Sequence, residues 1–327
     1  MGYVFVLGGG GAIGAYQAGA LQTLAEAGVA PSGLVGCSVG ALNAAFFGAN
    51  PSPERARALI HFWQAEATRA VLSPSLLDRF RGAPAVLRRG DALLDQRPLR
   101  ALLDRTLEAH DLSELAVPLT VTTTCLDCSE AVHHTSGPLA DILIASCSLP
   151  GLLSPVRLAD GHQHVDGGVV CGVPVQAALD AAGPDDVVLV LDAGLAPVTG
   201  LPGRCAAGPD PQSGCGLPIH PELPYTPPME RASARVLDVV LRSFTVARAV
   251  ANRAAVRDAL RDPRVRVLPH LADAWSAGHL RMMPTGPRDF SRTGDLMDAG
   301  RAATAAWLEA GNLGPALWSR ARAIDLP

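Results

Sequence analysis

A serine flanked on both sides by glycines is the stretch of this sequence that most directly suggests chemistry. Residues 36–40 read Gly-Cys-Ser-Val-Gly, after a short apolar run and before a helical pattern. A strand that turns sharply into a helix at Ser38 needs nearby glycines, because side chains there would collide with neighbouring backbone. Such a turn exposes the hydroxyl at the end of a sheet, beside the amide groups and positive dipole end of the helix. The pattern predicts a nucleophile, provided that the rest of the chain supplies a base and oxyanion donors.

A glycine-rich loop precedes this serine. Residues 8–14 read Gly-Gly-Gly-Gly-Ala-Ile-Gly, between the apolar run 3–7 and a helical pattern over 15–24. A dinucleotide site of this type needs an acidic residue about 20 positions later, at the end of the second strand, where this chain has Ser38. A phosphate-binding P-loop needs a lysine, and the sequence contains none. The loop is therefore predicted to direct backbone amides at an acyl oxyanion beside the serine.

A candidate base lies near the middle of the chain. Asp166 ends a short predicted strand and is followed by Gly167 and Gly168. This pattern is typical of a carboxylate on a tight turn that another backbone segment can approach closely. Because Asp-Gly-Gly alone is an ordinary turn, its value as a signal depends on its position after the other motifs.

The order of the motifs resembles that of the patatin-like phospholipases. The four motifs are the glycine loop at 9–14, Gly-x-Ser-x-Gly at 36–40, Ala-Ser-x-x-x-Pro at 145–150 and Asp-Gly-Gly at 166–168. The resemblance implies an α/β fold in which a Ser–Asp dyad, without a catalytic histidine, hydrolyses acyl esters of lipids. It therefore implies a lipid or ester substrate and no cofactor.

The resemblance also implies a role for each matching position. Ser38 would be the nucleophile and Asp166 its base. The oxyanion donors would be the backbone amides of Gly9, Gly10 and Gly11. Because an acyl-enzyme does not specify its acceptor, an acyltransferase is an alternative hypothesis, and a non-catalytic lipid-binding protein on the same scaffold is another.

One position departs from the family pattern. The family usually has Arg or Lys just before the last glycine of the loop, and this chain has Ile13. Without that cation, we expect neutral esters to be hydrolysed at least as well as phospholipids of equal chain length. Ile13→Arg should shift the preference toward phospholipid, by several-fold at most, since a partly exposed charge contact is worth about 1 kcal/mol or less.

Cysteines and histidines suggest a competing use of the same region. Cys125 and Cys128 have redox or metal spacing, but the sequence has no second such pair, and we expect structural thiols. His162, His164 and Asp166 alternate along one predicted strand and could bind a metal. Since Asp166 belongs to the dyad, only two histidines remain. We therefore expect no metal there and expect His164 to be exposed or to line the pocket.

Composition limits the classes of function. The chain has 327 residues, 48% of them hydrophobic, and a net charge of −4, so it can build a large core and gives no support for nucleic-acid binding. Seven scattered cysteines favour free thiols in a reducing compartment. The apolar run 3–7 is too short for a signal-peptide core or a membrane span. We therefore expect a cytoplasmic protein, and the sequence does not predict its oligomeric state.

The pattern of apolar runs predicts one α/β domain over residues 1–327, with a mainly parallel sheet sandwiched by helices. Strands are predicted at 3–7, 33–35, 118–125, 186–191 and 264–268, and helices at 139–145, 230–262 and 294–310. Residues 51–115 predict a helical insertion, in which the apolar segment 71–77 is either buried or makes transient contact with a membrane surface. The Pro- and Gly-rich stretch 196–228 is either a lid or a disordered segment.

Overall fold

The computed structural model describes most of the chain. The described residues are 1–65, 92, 94–193, 236–269, 290 and 292–313. The predicted segments 71–77 and 196–228 lie outside the described residues, and so does most of the centre of the predicted insertion 51–115. Their proposed roles therefore stay predictions.

A mixed, mostly parallel sheet forms the centre of the fold. Its eight strands within the described residues are β1 (Tyr3–Leu7), β2 (Gly33–Cys37), β3 (Leu119–Cys125), β4 (Glu130–His134), β5 (Val156–Arg157), β6 (Gln163–Asp166), β7 (Val187–Leu191) and β8 (Val265–Val267). Each strand is hydrogen-bonded to its neighbours in the series β5-β6-β3-β2-β1-β7-β8, and β4 also pairs with β3. The pairings among β3, β2, β1, β7 and β8 are parallel, whereas β4, β5 and β6 pair antiparallel. The predicted α/β fold is confirmed.

Helices flank this sheet. The eight α-helices of the described residues are α1 (Gly14–Glu26), α2 (Val39–Gly48), α3 (Pro53–Gln64), α4 (Arg97–Thr106), α5 (Leu139–Cys147), α6 (Val175–Ala181), α7 (Val236–Ala259) and α8 (Thr293–Glu309). None of these helices is long and apolar enough to cross a membrane. Two of them, α3 and α4, lie near the ends of the predicted helical insertion.

Alternate residues of the central strands face two apolar layers. Phe5 and Leu7 of β1 pack in the larger layer with α1, α2, α3, α5 and α8. Val4 and Val6 face the smaller layer, which includes residues of α6 and α7. Because both faces of the sheet are covered, the central strands are continuously apolar rather than alternating.

The strongest apolar runs lie where strands were predicted. β1 spans the predicted run 3–7, and β7 and β8 lie within the predicted runs 186–191 and 264–268. Three elements have no counterpart among the predictions, namely β4, β5 and α6. The residues of β4 are only partly buried or exposed, so β4 lacks the apolar signal that marks the central strands.

Candidate active site

Two strands meet end to end along one edge of β3. The last residue of β2, Cys37, pairs with Thr122 of β3. The last residue of β6, Asp166, pairs with the next residue, Thr123. β4 pairs with the same stretch of β3 and so occupies its other edge. Since β6 runs antiparallel to β3, the carboxyl ends of β2 and β6 abut, and this brings Ser38 to Asp166.

Ser38 lies on a strained turn between β2 and α2. Its backbone torsion angles are φ 53° and ψ −128°, a region that side-chain-bearing residues rarely adopt and that costs roughly 1–3 kcal/mol. A Cβ on Gly36 would lie 2.6 Å from Cα of Ala41, and one on Gly40 would lie 2.1 Å from the carbonyl oxygen of Leu7. The flanking glycines therefore permit the close strand–helix approach that the sequence motif predicts.

Ser146 of α5 holds this turn from behind. Its fully buried hydroxyl accepts a 2.8 Å hydrogen bond from the backbone amide of Ser38. The same hydroxyl donates a 2.7 Å hydrogen bond to the carbonyl of Thr122. Ser146 thus ties the turn to α5 and β3. The motif at 145–150 marks this serine in the sequence, but its role depends on contacts that only the fold reveals.

Ser38 and Asp166 form a hydrogen-bonded pair. Oγ of Ser38 donates a 2.7 Å hydrogen bond to Oδ2 of Asp166, and only 8% and 2% of the two residues are exposed. The other carboxylate oxygen, Oδ1, accepts a 2.7 Å hydrogen bond from the amide of Gly168. A Cβ on Gly167 would lie 2.5 Å from the carbonyl oxygen of Thr122, so this glycine lets the turn lie against β3.

Burial raises the pKa of Asp166 above the ordinary aspartate value, because the carboxylate loses hydration that the neutral acid needs less. Three groups act in the opposite direction, namely the guanidinium of Arg248, the hydroxyl of Ser38 and the amide of Gly168. Burial increases the proton affinity of the carboxylate, while its three partners favour the ionised form. This combination suits a general base.

Arg248 is a charged residue of the site that no sequence motif marks. It lies on α7, and its side chain passes beside both glycine segments of the site. A Cβ on Gly168 would lie 2.9 Å from Cδ of Arg248, and one on Gly9 would lie 3.6 Å from Nη1. The helical pattern over 230–262 predicts only a solvated arginine face, which does not single out this residue.

One of the three predicted oxyanion donors is already engaged in a backbone hydrogen bond. The amide of Gly9 donates a 2.9 Å hydrogen bond to the carbonyl of Gly172. The amides of Gly10 and Gly11 donate to no backbone carbonyl of the described residues. The predicted oxyanion site is thereby narrowed to Gly10 and Gly11, whose role stays a prediction.

A buried polar network fixes the glycine loop. Nε2 of Gln17 donates 2.8 Å hydrogen bonds to the carbonyls of Gly8 and Leu191. Nδ2 of Asn43 donates to Oε1 of Gln17 at 3.0 Å, and Nε1 of Trp63 donates to Oδ1 of Asn43 at 2.9 Å. Such a network holds the loop in one conformation. The sequence does not predict this network, because each of its polar residues stands alone in an otherwise apolar helix.

Ile13 packs in the apolar core and does not face the site. It is 3% exposed and belongs to the larger apolar layer. An arginine at this position would have to bury its guanidinium. The predicted headgroup effect of Ile13→Arg therefore stays a prediction, and it competes with the cost of burying the guanidinium. A positive charge approaches the loop from Arg248 instead.

His164 does not join the Ser38–Asp166 pair. It is fully buried, so the expectation that it is exposed or lines the pocket is wrong. Its Nδ1 lies 2.9 Å from Oγ1 of Thr123, and its Nε2 lies 2.9 Å from Oδ2 of Asp160. Pairing of β6 with β3 turns this ring into the protein. His162 lies just outside β6 and contacts neither Ser38 nor Asp166 among the contacts that the described residues make.

Sequence comparisons match this part of the chain to known proteins. The patatin-like phospholipase family model matches residues 5–179, more than half of the chain. Patatin-like phospholipase domain-containing protein 7 of Rattus norvegicus is 29% identical over 195 residues, which cover 58% of this chain and 13% of that protein. Patatin-like phospholipase domain-containing protein 6 of Homo sapiens is 30% identical over 174 residues, covering 53% and 12%. An uncharacterized NTE family protein of Mycobacterium tuberculosis is 30% identical over 169 residues, covering 52% and 43%.

Among solved structures, VipD from Legionella pneumophila gives a TM-score of 0.41 at 14% identity, covering 91% of this chain and 67% of that chain. The chain spans less than half the length of the curated relatives named above. The chain has an α/β fold in which the serine of the site lies on a strand-to-helix turn. The family match contains the glycine loop, Ser38, Ser146 and Asp166. The chain belongs to the patatin-like phospholipase family.

Proposed function

We propose that this protein is a lipid acyl hydrolase that cleaves carboxylic esters through an acyl-enzyme on Ser38. The observation that carries the proposal is the 2.7 Å hydrogen bond from Oγ of Ser38 to Oδ2 of the buried Asp166. Family membership supports lipid hydrolysis in general terms. The dyad mechanism, the class of ester and water as the acceptor belong to the proposal.

Acylation is the first half-reaction. Oγ of Ser38 attacks the ester carbonyl carbon while its proton passes to Oδ2 of Asp166. The carbonyl oxygen becomes an oxyanion, which the amides of Gly10 and Gly11 and the N-terminal end of α2 stabilise. The bond to the alcohol oxygen then breaks, and that oxygen takes the proton from Asp166. The alcohol leaves, and the acyl group remains on Ser38.

Hydrolysis of the acyl-enzyme reverses these roles. Water attacks the acyl carbonyl and gives a proton to Asp166, and the same amides hold the second oxyanion. The bond to Oγ of Ser38 breaks, and the proton on Asp166 returns to that oxygen. The sum is ester plus water giving carboxylic acid plus alcohol. Every proton transfer uses a group on this chain or the attacking water.

Arg248 supports this chemistry as a positioning residue in the proposal. Its guanidinium acts against the rise that burial causes in the pKa of Asp166, so it keeps more of the carboxylate in the form that accepts a proton. The same charge lies beside the glycine loop, where it is available to the phosphate of a bound phospholipid. Phospholipids and neutral esters therefore both belong in a substrate panel.

The test is hydrolysis of that panel with product analysis. The substrates are p-nitrophenyl esters of increasing chain length and phospholipids, and the enzymes are the wild type, Ser38→Ala and the control Ser136→Ala. Ser136 is an exposed serine. We expect the wild type and the control to release fatty acid, and Ser38→Ala to be slower by about 10³-fold or more. Equal turnover by Ser38→Ala would contradict the proposal, and transfer to an added alcohol or thiol would indicate an acyltransferase.

A further inference from the structure

The end of β3 and the start of β6 bring two thiols and one imidazole together. Cys125 ends β3, Cys128 lies in the turn to β4, and His162 immediately precedes β6. Nδ1 of His162 lies 3.1 Å from Sγ of Cys128 and 3.7 Å from Sγ of Cys125. The three donor atoms lie within 4.8 Å of one another, and the described residues contain no other such group of three.

These separations match the edges of a metal-centred tetrahedron. Zinc bonds of about 2.3 Å to sulfur and about 2.0–2.1 Å to nitrogen place neighbouring sulfur and nitrogen ligands about 3.5 Å apart. The two observed distances from Nδ1 of His162 to the sulfur atoms, 3.1 and 3.7 Å, lie on either side of that value. The donor atoms therefore converge on one point that an ion can occupy.

The two loops that carry these groups are locked together by other contacts. The amide of Leu126 donates a 2.8 Å hydrogen bond to the carbonyl of Gln163, and the amide of Gln163 donates a 2.6 Å hydrogen bond to Oδ2 of Asp127. The amide of Cys128 donates a hydrogen bond to Sγ of Cys125 at 3.1 Å. The ligands are thus placed before any ion arrives.

Asp160 lies beside this cluster and orients the segment that carries His162. Its Oδ2 lies 3.9 Å from Nδ1 of His162 and 2.9 Å from Nε2 of the buried His164, and its Oδ1 accepts a 3.0 Å hydrogen bond from the amide of His162. The Asp160 side chain is 41% exposed. Solvent therefore provides an entry path for an ion.

We propose that Cys125, Cys128 and His162 bind one zinc ion, whose fourth position is open to water. Thiolate and imidazole together favour Zn²⁺ over Mg²⁺ or Ca²⁺, which prefer oxygen ligands. The ion ties β3 to the segment before β6, the strand that ends in Asp166. Its role is to hold that strand in register.

The ion takes no part in the dyad. Cys125 pairs with His164 and Thr123 pairs with Asp166, so the site lies two or more residues away along the strands, about 7 Å or more at the usual rise. The proposal is therefore independent of the proposed hydrolase mechanism. It revises the expectation of simple structural thiols, which rested on the absence of a second cysteine pair. The imidazole that completes the set lies 34 positions after Cys128, where no spacing rule points to it.

The first test uses the wild-type protein with no substitution. The full chain is purified under reducing conditions, its metal content is measured, and the metal-free form is titrated with Co²⁺. We expect one zinc ion per chain and thiolate-to-cobalt charge-transfer absorption with tetrahedral d–d bands. Reduced protein that binds neither ion would overturn the proposal, and so would an isolated Cys125–Cys128 disulfide that forms in preference to the metal site.

Variants then assign the ligands. Cys128→Ser and His162→Gln should each weaken Zn²⁺ binding by more than the roughly 10–100-fold that loss of a supporting partner produces. Asp160→Asn changes a residue that orients the segment of His162, and it should weaken Zn²⁺ binding less than either ligand variant. Cys171→Ser is the matched control, because Cys171 is a free, partly buried cysteine outside the cluster. Zinc affinity that is unchanged in Cys128→Ser or lowered equally in Cys171→Ser would contradict the assignment.

A last measurement separates a structural ion from a catalytic one. Removal of zinc should lower the Tm of the wild type and leave the Tm of Cys128→Ser unchanged, because only the wild type gains stability from the bound ion. At 25 °C, kcat/KM of the folded metal-free protein should equal that of the zinc-loaded protein. A Tm independent of zinc would overturn the structural role, and loss of kcat/KM without loss of folding would show that the ion acts in the reaction.

Discussion

Oγ of Ser38 donates a hydrogen bond of 2.7 Å to Oδ2 of Asp166 across 128 positions of sequence. The contact exists because β2 and β6 end at adjacent positions of β3, with Cys37 opposite Thr122 and Asp166 opposite Thr123. A shift of one residue in either pairing would turn the strand's side chains to the opposite face. The geometry of the pair is therefore set by the register of the sheet.

Asp166→Asn should separate catalysis from stability. Asparagine cannot accept the serine proton, so kcat should fall by about 10²–10⁴-fold. The pKa of Asp166 is higher in the folded state than in the unfolded state. Ionisation therefore costs folding free energy, which is lost as the pH rises from the unfolded pKa through the folded pKa and is absent below the unfolded pKa. The variant should thus be at least as stable as the wild type at neutral pH, and the advantage should shrink on acidification. A pH-independent loss of Tm in the variant would contradict this account.

The pH profile should report the same carboxylate. Because burial raises the pKa of Asp166, kcat/KM should fall on the acid side at a pH above the ordinary aspartate value. Arg248→Met removes a charge that lowers this pKa, so the acid limb should move to higher pH. Arg248→Lys should retain most of the wild-type position.

Arg257→Met is the control for that experiment. Arg257 is exposed and lies on the same helix as Arg248, so its replacement changes net charge and helix composition equally. The control should leave the acid limb in place. If both methionine variants move the limb equally, or if neither does, Arg248 has no specific effect on Asp166.

The positions of Ser38 and Asp166 could be predicted because local patterns mark them. The glycines around Ser38 and after Asp166 indicate tight turns, and the order of the motifs adds a family resemblance. Arg248 could not be predicted, because α7 has several arginines and only tertiary packing brings one of them to the site. The hydrogen bond from the amide of Gly9 to the carbonyl of Gly172 could not be predicted either, because it depends on packing between distant segments.

The fold shows the same division between local and distant information. A strand that is covered on both faces of a sheet has a continuous apolar run. The run 187–191 therefore predicts a buried strand, and all five residues of β7 are buried. β4 has partly exposed residues, and no short turn signal separates it from β3. β4 pairs with positions of β3 that also pair with β6. Such a pairing between three strands depends on the assembled sheet and cannot be predicted from local sequence.

Ser146→Ala tests the support behind the turn. The change leaves the amide of Ser38 and the carbonyl of Thr122 without this partner, at a cost of about 1–3 kcal/mol in the free energy of unfolding. Displacement of the turn should lower kcat with little change in KM. Ser148→Ala is the matched control, since its buried hydroxyl bonds the carbonyl of Ile144. It should lose stability and keep kcat, and an equal kcat loss in both variants would contradict a specific role.

Ile13→Arg tests whether this position faces the core. Because Ile13 is 3% exposed, the variant buries an unpaired guanidinium and should lose about 3 kcal/mol or more of stability. Values of kcat/KM should fall together for neutral esters and phospholipids. Ile13→Leu, the control, should cost less than about 1.5 kcal/mol. A stable Ile13→Arg variant with a raised phospholipid-to-ester ratio would support the headgroup hypothesis.

Labelling by a fluorophosphonate probe, with the modified peptide identified by mass spectrometry, tests the central claim most directly. The probe reacts only with a serine whose hydroxyl is activated, and Oγ of Ser38 lies 2.7 Å from Oδ2 of Asp166, its proposed base. The account predicts labelling of the wild type at Ser38, none of Ser38→Ala, and strongly slowed labelling of Asp166→Asn. Labelling of Ser38→Ala at the wild-type rate, or modification of a different serine in the wild type, would contradict it.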